Sequence, residues 1–245
     1  MTSRTEALPT SLSLAPFQQI TESWLSIQTR LSSVIRWDKY IEGDGGVRIQ
    51  NSCQHSLSIS LLGIQMMTQI SPYAIFDRNL VLSALIIHDF GEGEMGRDTV
   101  FIDKSGVGDL EEYSAFLKVF SKLPPDQFYF FHRAFLLQFA LDVPKIFPHD
   151  AKEIMKELAR NERVEALVFR AVEIWDYLLY AFEQYTERGN VRILVQTLRH
   201  QIRRLDYLAR SLPGFRKEIW KKEIRDWCVR FVDSYEGQFI EAKGE

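Results

Sequence analysis

The order of apolar and polar positions predicts a chain built almost wholly of helices. Apolar residues recur every three or four positions from residue 17 to 35, and the same spacing resumes after Asn51 and Ser52, which suit a helix N-cap. No segment shows convincing strand alternation, and no internal repeat is present. The pattern therefore predicts an all-α fold of about eight helices in one domain.

Glycine and proline breaks divide this pattern into helices. Besides the first two, the predicted helices cover residues 77–89, 111–122, 126–141, 150–159 and 162–185 (two helices or one bent helix), 191–212 and 217–240. Residues 90–109 hold five glycines and are predicted to form a loop. We expect a flexible lead-in over residues 1–15, a main domain over 16–190, and a helical extension over 191–245 packed on the same domain.

Charge and cysteine content narrow the class of protein. The net charge is −3, so no overall positive field favours a nucleic-acid polymer as partner. The two cysteines lie far apart without metal-ligand spacing, which is typical of a reducing compartment. The first fifteen residues lack the apolar core of a signal peptide, and no apolar run reaches the ~20 residues that span a bilayer. We expect a cytoplasmic protein with no membrane partner.

The apolar run from Leu80 to Ile87 ends on His88 and Asp89. An unpaired carboxylate costs much free energy when it is buried, and a divalent cation would offset that cost for both residues at once. The pair alone has a second interpretation, in which His88 is stabilised by the helix dipole and Asp89 caps the next turn.

Two more residues favour the metal interpretation. His55 lies on the apolar face of the second predicted helix, and Asp176 is surrounded by Val172, Ile174 and Leu178 in its own helix. A carboxylate among such neighbours is normally protonated, paired or bound to metal. We therefore predict a divalent-metal site with positions open to water and substrate. Its four ligands are His55, His88, Asp89 and Asp176, and Mn, Co, Mg, Zn or Fe would suit them.

The order of these four ligands resembles that of the HD-domain metal phosphohydrolases. Further motifs between residues 36 and 187 are similar to the bacterial HD-domain 5'-deoxynucleotidases, although that family usually has Glu where this chain has Gln54. These motifs are Arg36-Trp37, Arg48, Gln54-His55-Ser56, His88-Asp89 followed by Glu92, and the helical segment 174–183.

The resemblance implies an HD-domain fold, a homodimer, and hydrolysis of the phosphomonoester of deoxyribonucleoside 5'-monophosphates. It implies that Glu92 is the acid/base, with a solvent-facing loop carboxylate as the other interpretation. Asp98 would assist it or hold the loop. Arg36 and Arg48 would receive the phosphate, and a surface ion pair is the alternative for Arg48. Trp37 would contact sugar or base, or anchor the core.

Other functions stay open at this stage. His132 and His149 lie between the His-Asp pair and Asp176, where some HD proteins hold a second metal ion. If both turned inward, a di-metal oxygenase would become possible on the same fold. A phosphodiesterase acting on another nucleotide, or a non-catalytic helical interaction protein that retains the ligands, are further alternatives.

Overall fold

A computed structural model describes residues 25–40, 47–98 and 106–239, and within them the chain folds into ten helices. The all-α prediction is confirmed, and the helix count is close to the predicted eight. The helices are α1 (25–33), α2 (Ser52–Ile70), α3 (Arg78–Ile87), α4 (Phe90–Met95), α5 (Gly106–Phe120), α6 (Pro125–Leu136), α7 (His149–Asn161), α8 (Arg163–Arg188), α9 (Val191–Ser211) and α10 (Lys222–Asp233). Short 3₁₀ turns cover Asp38–Tyr40 and Leu137–Phe139, and a π turn covers Phe215–Ile219.

The start of α2 is fixed by a capping box. The Asn51 side chain accepts a hydrogen bond from the backbone N–H of Gln54 at 2.8 Å, and the Gln54 side chain accepts one from the backbone N–H of Asn51 at 3.2 Å. Such reciprocal bonds satisfy donors that the first helical turn leaves free. The predicted N-cap is confirmed, and His55 consequently lies in the first turn of α2.

A two-residue antiparallel bridge joins the chain before α2 to the chain that follows α1. Strand β1 (Ile35–Arg36) pairs with β2 (Gln50–Asn51), and Arg36 lies opposite Gln50. The sequence pattern predicted no strand here, because two residues are too few to show alternation. The bridge places Arg36 beside the N-terminus of α2.

The longest helix, α8, lies at the centre of the fold. It packs against α2, α3, α7 and α9, so apolar residues occur around most of its circumference. α9 in turn packs against α10. The helical extension thus covers the central helix, while the predicted lead-in over residues 1–15 lies outside the described residues.

The predicted loop over residues 90–109 was wrong in part, because α4 and the first turn of α5 lie within it. A Cβ atom at Gly91 would come within 2.5 Å of the backbone oxygen of Glu112, and one at Gly93 within 3.2 Å of Leu31. These glycines permit close helix packing here rather than a loop. The predicted helix over 217–240 was also wrong at its start, because the π turn precedes α10.

No helix in the described ranges is long and apolar enough to cross a membrane.

Candidate metal centre

Three predicted ligands meet in the interior, where α2, α3 and α4 converge. His55 Nε2 lies 3.3 Å from His88 Nε2 and 3.4 Å from Asp89 Oδ2, and His88 Nε2 lies 3.2 Å from Asp89 Oδ1. All three side chains are buried. They form a group that can hold a metal ion.

The donor set fits a cation. Nitrogen and oxygen ligands about 2.0–2.1 Å from a tetrahedral ion lie roughly 3.3 Å from one another. The two imidazole nitrogens have this separation, and each lies at a similar distance from one of the two oxygens of Asp89. Nδ1 of His88 lies 2.9 Å from the carbonyl oxygen of Leu85, so Nε2 is the nitrogen that faces the group. Burial lowers the pKa of His88 and favours the neutral imidazole, which is the form that binds metal.

The alternative interpretation, in which His88 and Asp89 only cap helices, agrees with the positions of the two residues but not with the contacts of Asp89. His88 does end α3, and Asp89 does precede α4. The Asp89 side chain, however, makes no capping hydrogen bond and instead contacts the two imidazoles and Arg36. Its carboxylate is directed into the interior group.

Asp176 lies next to this group on a different side of His55. Its Oδ2 is 3.1 Å from His55 Nδ1, the ring nitrogen that faces away from His88. The two atoms are close, but Nδ1 is not aligned for a hydrogen bond and is a buried atom without a hydrogen-bond partner. The three-residue group does not include Asp176, so its role as the fourth ligand stays a prediction.

Arg36 is buried among three carboxylates. Its Nη1 lies 2.5 Å from Asp89 Oδ2, 3.8 Å from Glu92 Oε2 and 4.0 Å from Asp98 Oδ1. Burial acts to lower the pKa of Arg36, but the three carboxylates outweigh it and raise the pKa well above its ordinary value. Nε of Arg36 is buried without a hydrogen-bond partner. Three acids around one guanidinium favour a further positive charge at this point.

Glu92 is a buried helical residue rather than a solvent-facing loop carboxylate. It lies in α4 and is 2% exposed, and the Ser52 hydroxyl donates a hydrogen bond to its Oε2 at 2.8 Å. Burial raises the pKa of Glu92 well above its usual range, and the charges of Asp89 and Asp98 raise it further. The burial and the neighbouring carboxylates therefore favour the protonated form of this acid.

Trp37 and Asp98 meet through the backbone. The N–H of Trp37 lies 3.4 Å from Asp98 Oδ2, and Trp37 has a positive φ of 61°. The indole is buried and stacks on the ring of Tyr180 with 4.8 Å between centroids. Trp37 is therefore anchored in the core next to the candidate site, and its contact with a substrate stays a prediction.

Arg48 lies towards the surface. Its Nη2 forms an ion pair with Glu183 Oε2 at 3.0 Å, and 44% of its side chain is exposed. Its guanidinium carbon lies 5.9 Å from the centroid of Tyr180, the same ring that stacks on Trp37. The ion pair that the sequence analysis gave as the alternative for Arg48 is present, and a contact between Arg48 and phosphate stays a prediction.

Sequence reasoning missed other polar residues around the centre. Glu173 is 3% exposed, accepts a hydrogen bond from the Tyr177 hydroxyl at 2.9 Å, and its charge acts on the pKa of His88. Gln138 Nε2 lies 3.3 Å from the backbone oxygen of His88. Glu173 could have been found, since it is an acid within the same apolar helix as Asp176.

The two additional histidines lie elsewhere. His132 is buried among aromatic rings with Nε2 3.0 Å from the Tyr113 hydroxyl, while His149 is exposed at the start of α7. Among the described residues, neither belongs to a group able to hold a metal ion. The structure does not bring them together with the three-residue group.

Comparison of the chain with protein-family models, with curated proteins and with solved structures finds no match.

Proposed function

We propose that this protein is a metal-dependent phosphohydrolase of the HD class that acts on deoxyribonucleoside 5'-monophosphates. The observation that carries the proposal is the convergence of His55, His88 and Asp89 at ligand spacing beside the buried guanidinium of Arg36. The sequence motifs that resemble the 5'-deoxynucleotidases add the reaction and the substrate class.

His55, His88 and Asp89 would hold the cation, with Asp176 beside His55. When bound, the cation lowers the pKa of a water molecule and polarises a phosphoryl oxygen. Arg36 contributes a buried positive charge beside the group, and the fork of a guanidinium suits phosphate oxygens. Burial strengthens the interactions of this charge, because little water competes with them.

Glu92 acts as the acid in the proposed reaction. Its raised pKa favours the protonated form of the carboxyl group, which would give a proton to the oxygen of the leaving nucleoside. The hydroxyl of Ser52, 2.8 Å from Oε2, fixes the orientation of this carboxyl group.

A metal analysis combined with a phosphate-release screen tests the proposal. The purified protein is assayed with 5'-, 3'- and cyclic nucleotides after adding Mn, Co, Mg, Zn or Fe to the chelator-treated chain. We expect metal-dependent release from 5'-monophosphates, lost in His88→Ala and retained in His149→Ala. A chain that binds one metal ion yet turns over none of these nucleotides would contradict the assignment. Light scattering on the same sample measures whether it is the homodimer that the resemblance implies.

One observation favours a second candidate function. Two histidines and one carboxylate are also the ligand set of the iron oxygenases that keep positions open for substrate and oxygen. Oxygen consumption by the iron-loaded protein, with no phosphate release from any nucleotide, would favour this candidate over the hydrolase.

A further inference from the structure

Positive charge is concentrated in one part of the chain. Residues 191–230 contain eleven lysines and arginines and four acidic residues, a formal charge of +7, and the remaining residues therefore sum to −10. The net charge of −3, which argued against a nucleic-acid partner, does not show this asymmetry. A polyanion that approaches this part of the chain would experience the local positive potential rather than the average over the whole chain.

Four of these eleven positive residues line a cleft of about 340 Å³ formed by the end of α9, the π turn and α10. Arg210, Arg216, Lys222 and Arg225 line it, together with two acids. Both acids are already engaged: Asp206 is held by the fork of Arg225 at 2.8 and 2.9 Å, and Asp226 by Lys222 at 2.7 Å.

Arg210 and Arg216 are the free cations of the cleft. Both are exposed, and in the described part of the chain neither has an ion-pair partner. Asp206, which pairs with Arg225, is fixed further by a hydrogen bond from Trp220 Nε1 at 2.9 Å. Two guanidinium groups in one cleft repel each other, and an anion between them would relieve that repulsion.

The positive surface extends along α9. Arg203 is exposed and lies on the same face as Asp206 and Arg210, because positions three and seven residues apart share a helix face. Tyr207 lies next to them with 40% of its surface exposed, and its hydroxyl accepts a hydrogen bond from the exposed Arg163 at 2.8 Å. Arg163, Arg203, Arg210, Arg216, Lys222 and Arg225 together form a surface that we call the basic band.

We propose that the basic band binds the phosphate backbone of a single-stranded nucleic acid. Five of its six cations are arginines, whose planar forks match phosphate oxygens. The exposed ring of Tyr207 offers a face for base stacking within the band. A cleft alone would suit one phosphate, but the stretch from Arg203 to Arg210 adds about 10 Å of helix, enough for successive phosphates. The metal centre uses α2, α3 and α4, so the band is a separate site.

Fluorescence anisotropy with a labelled 20-nucleotide single strand tests the proposal. We compare the full chain with a triple variant, Arg203→Glu, Arg210→Glu and Arg216→Glu. The matched control reverses three exposed cations elsewhere, Lys122→Glu, Lys145→Glu and Arg160→Glu, so both variants have the same net charge. We expect the band variant to lose tenfold or more in affinity at 50 mM salt, and the control less than threefold.

The salt dependence supplies a second readout. The slope of log affinity against log salt should be about 2 smaller in magnitude in the band variant. Each phosphate neutralised by the protein contributes about 0.7 to this magnitude for a single strand, and the variant removes three cations. The double variant Arg210→Gln with Arg216→Gln places no new charge in the cleft. It should lose less affinity for the strand than the triple variant does. Circular dichroism and thermal unfolding establish that each variant is folded.

Three outcomes would overturn the proposal. One is no binding of the strand by the unmodified chain at 50 mM salt. Another is an equal loss in the band variant and in its matched control. The last is binding to vesicles of phosphatidylserine and phosphatidylcholine, abolished by the band variant, without binding to the nucleic acid, which would assign the surface to a membrane.

Discussion

The Nε2 atoms of His55 and His88 face each other at 3.3 Å inside the protein. Nδ1 of His88 lies at hydrogen-bond distance from the Leu85 carbonyl, so the Nε2 of that ring presents a lone pair. A lone pair on His55 Nε2 would repel it at this distance, so the contact requires either a proton on His55 Nε2, which then donates a hydrogen bond, or a cation between the rings. Because the rings are buried, water cannot screen that repulsion.

Metal binding should therefore stabilise the fold. Added Mn, Co or Zn should raise the free energy of unfolding by about 2.7 kcal/mol when the free metal is at a hundredfold excess over its Kd. Urea unfolding with metal and with chelator measures this increment. His88→Ala should abolish it, while His149→Ala, which removes an exposed histidine outside the group, should retain it. An increment that is equal in both variants would place the metal elsewhere.

Asp89 and Asp176 should differ in their effect on metal affinity. Asp89 lies within the ligand group, whereas Asp176 approaches the far nitrogen of His55 at 3.1 Å. We expect Asp89→Asn to abolish measurable binding. Asp176→Asn should lower the affinity about ten- to hundredfold, as for residues that orient a ligand. Competition with a chromophoric chelator measures both. Equal loss in the two variants would make Asp176 a direct ligand.

Glu92→Gln should reduce catalysis without reducing stability. The amide resembles the protonated carboxyl that the raised pKa of Glu92 favours, and it can still accept the hydrogen bond from Ser52. We expect kcat to fall by about 10²–10⁴ with little change in the free energy of unfolding. Ser52→Ala is the companion variant, and it should lower kcat less. A large loss of stability in Glu92→Gln with kcat preserved would show that Glu92 is structural.

His132 should make stability depend on pH independently of any metal. Burial lowers the pKa of His132, so the unfolded chain takes up a proton below about pH 6.5 while the folded chain does not. Stability is therefore lost as the pH falls from about 6.5 towards the folded pKa, by up to about 1.4 kcal/mol per pH unit. Urea unfolding of wild type and His132→Phe between pH 5 and 7.5 measures the difference. Parallel pH profiles would contradict this assignment.

Local signals in the sequence were sufficient for most helices and for the three residues of the candidate metal group. The Asn51 cap and the apolar spacing after it predicted α2, and a histidine or acid within an apolar run marked His55, His88 and Asp89. The structure also shows what the Gln54 amide does, since its oxygen completes the capping box of α2.

Features that depend on contacts between distant segments could not be predicted. The helix α4 was missed because Gly91 and Gly93 are loop formers by composition, and only their distances to α5 and α1 show why they lie in a helix. The sequence indicated Ser52 only as a residue suited to a helix N-cap, because its hydrogen bond to Glu92 spans forty residues of chain. The uneven distribution of charge was present in the sequence, but a net value cannot show it.

The buried guanidinium of Arg36 has a consequence for assembly. It already offsets part of the negative charge of Asp89, Glu92 and Asp98. These acids can therefore be buried during folding before a divalent ion is bound. The chain should reach its native state without metal, and the proposed cation would bind to the protein after it has folded. Small zinc domains, which are unfolded until they are loaded, do not have this freedom.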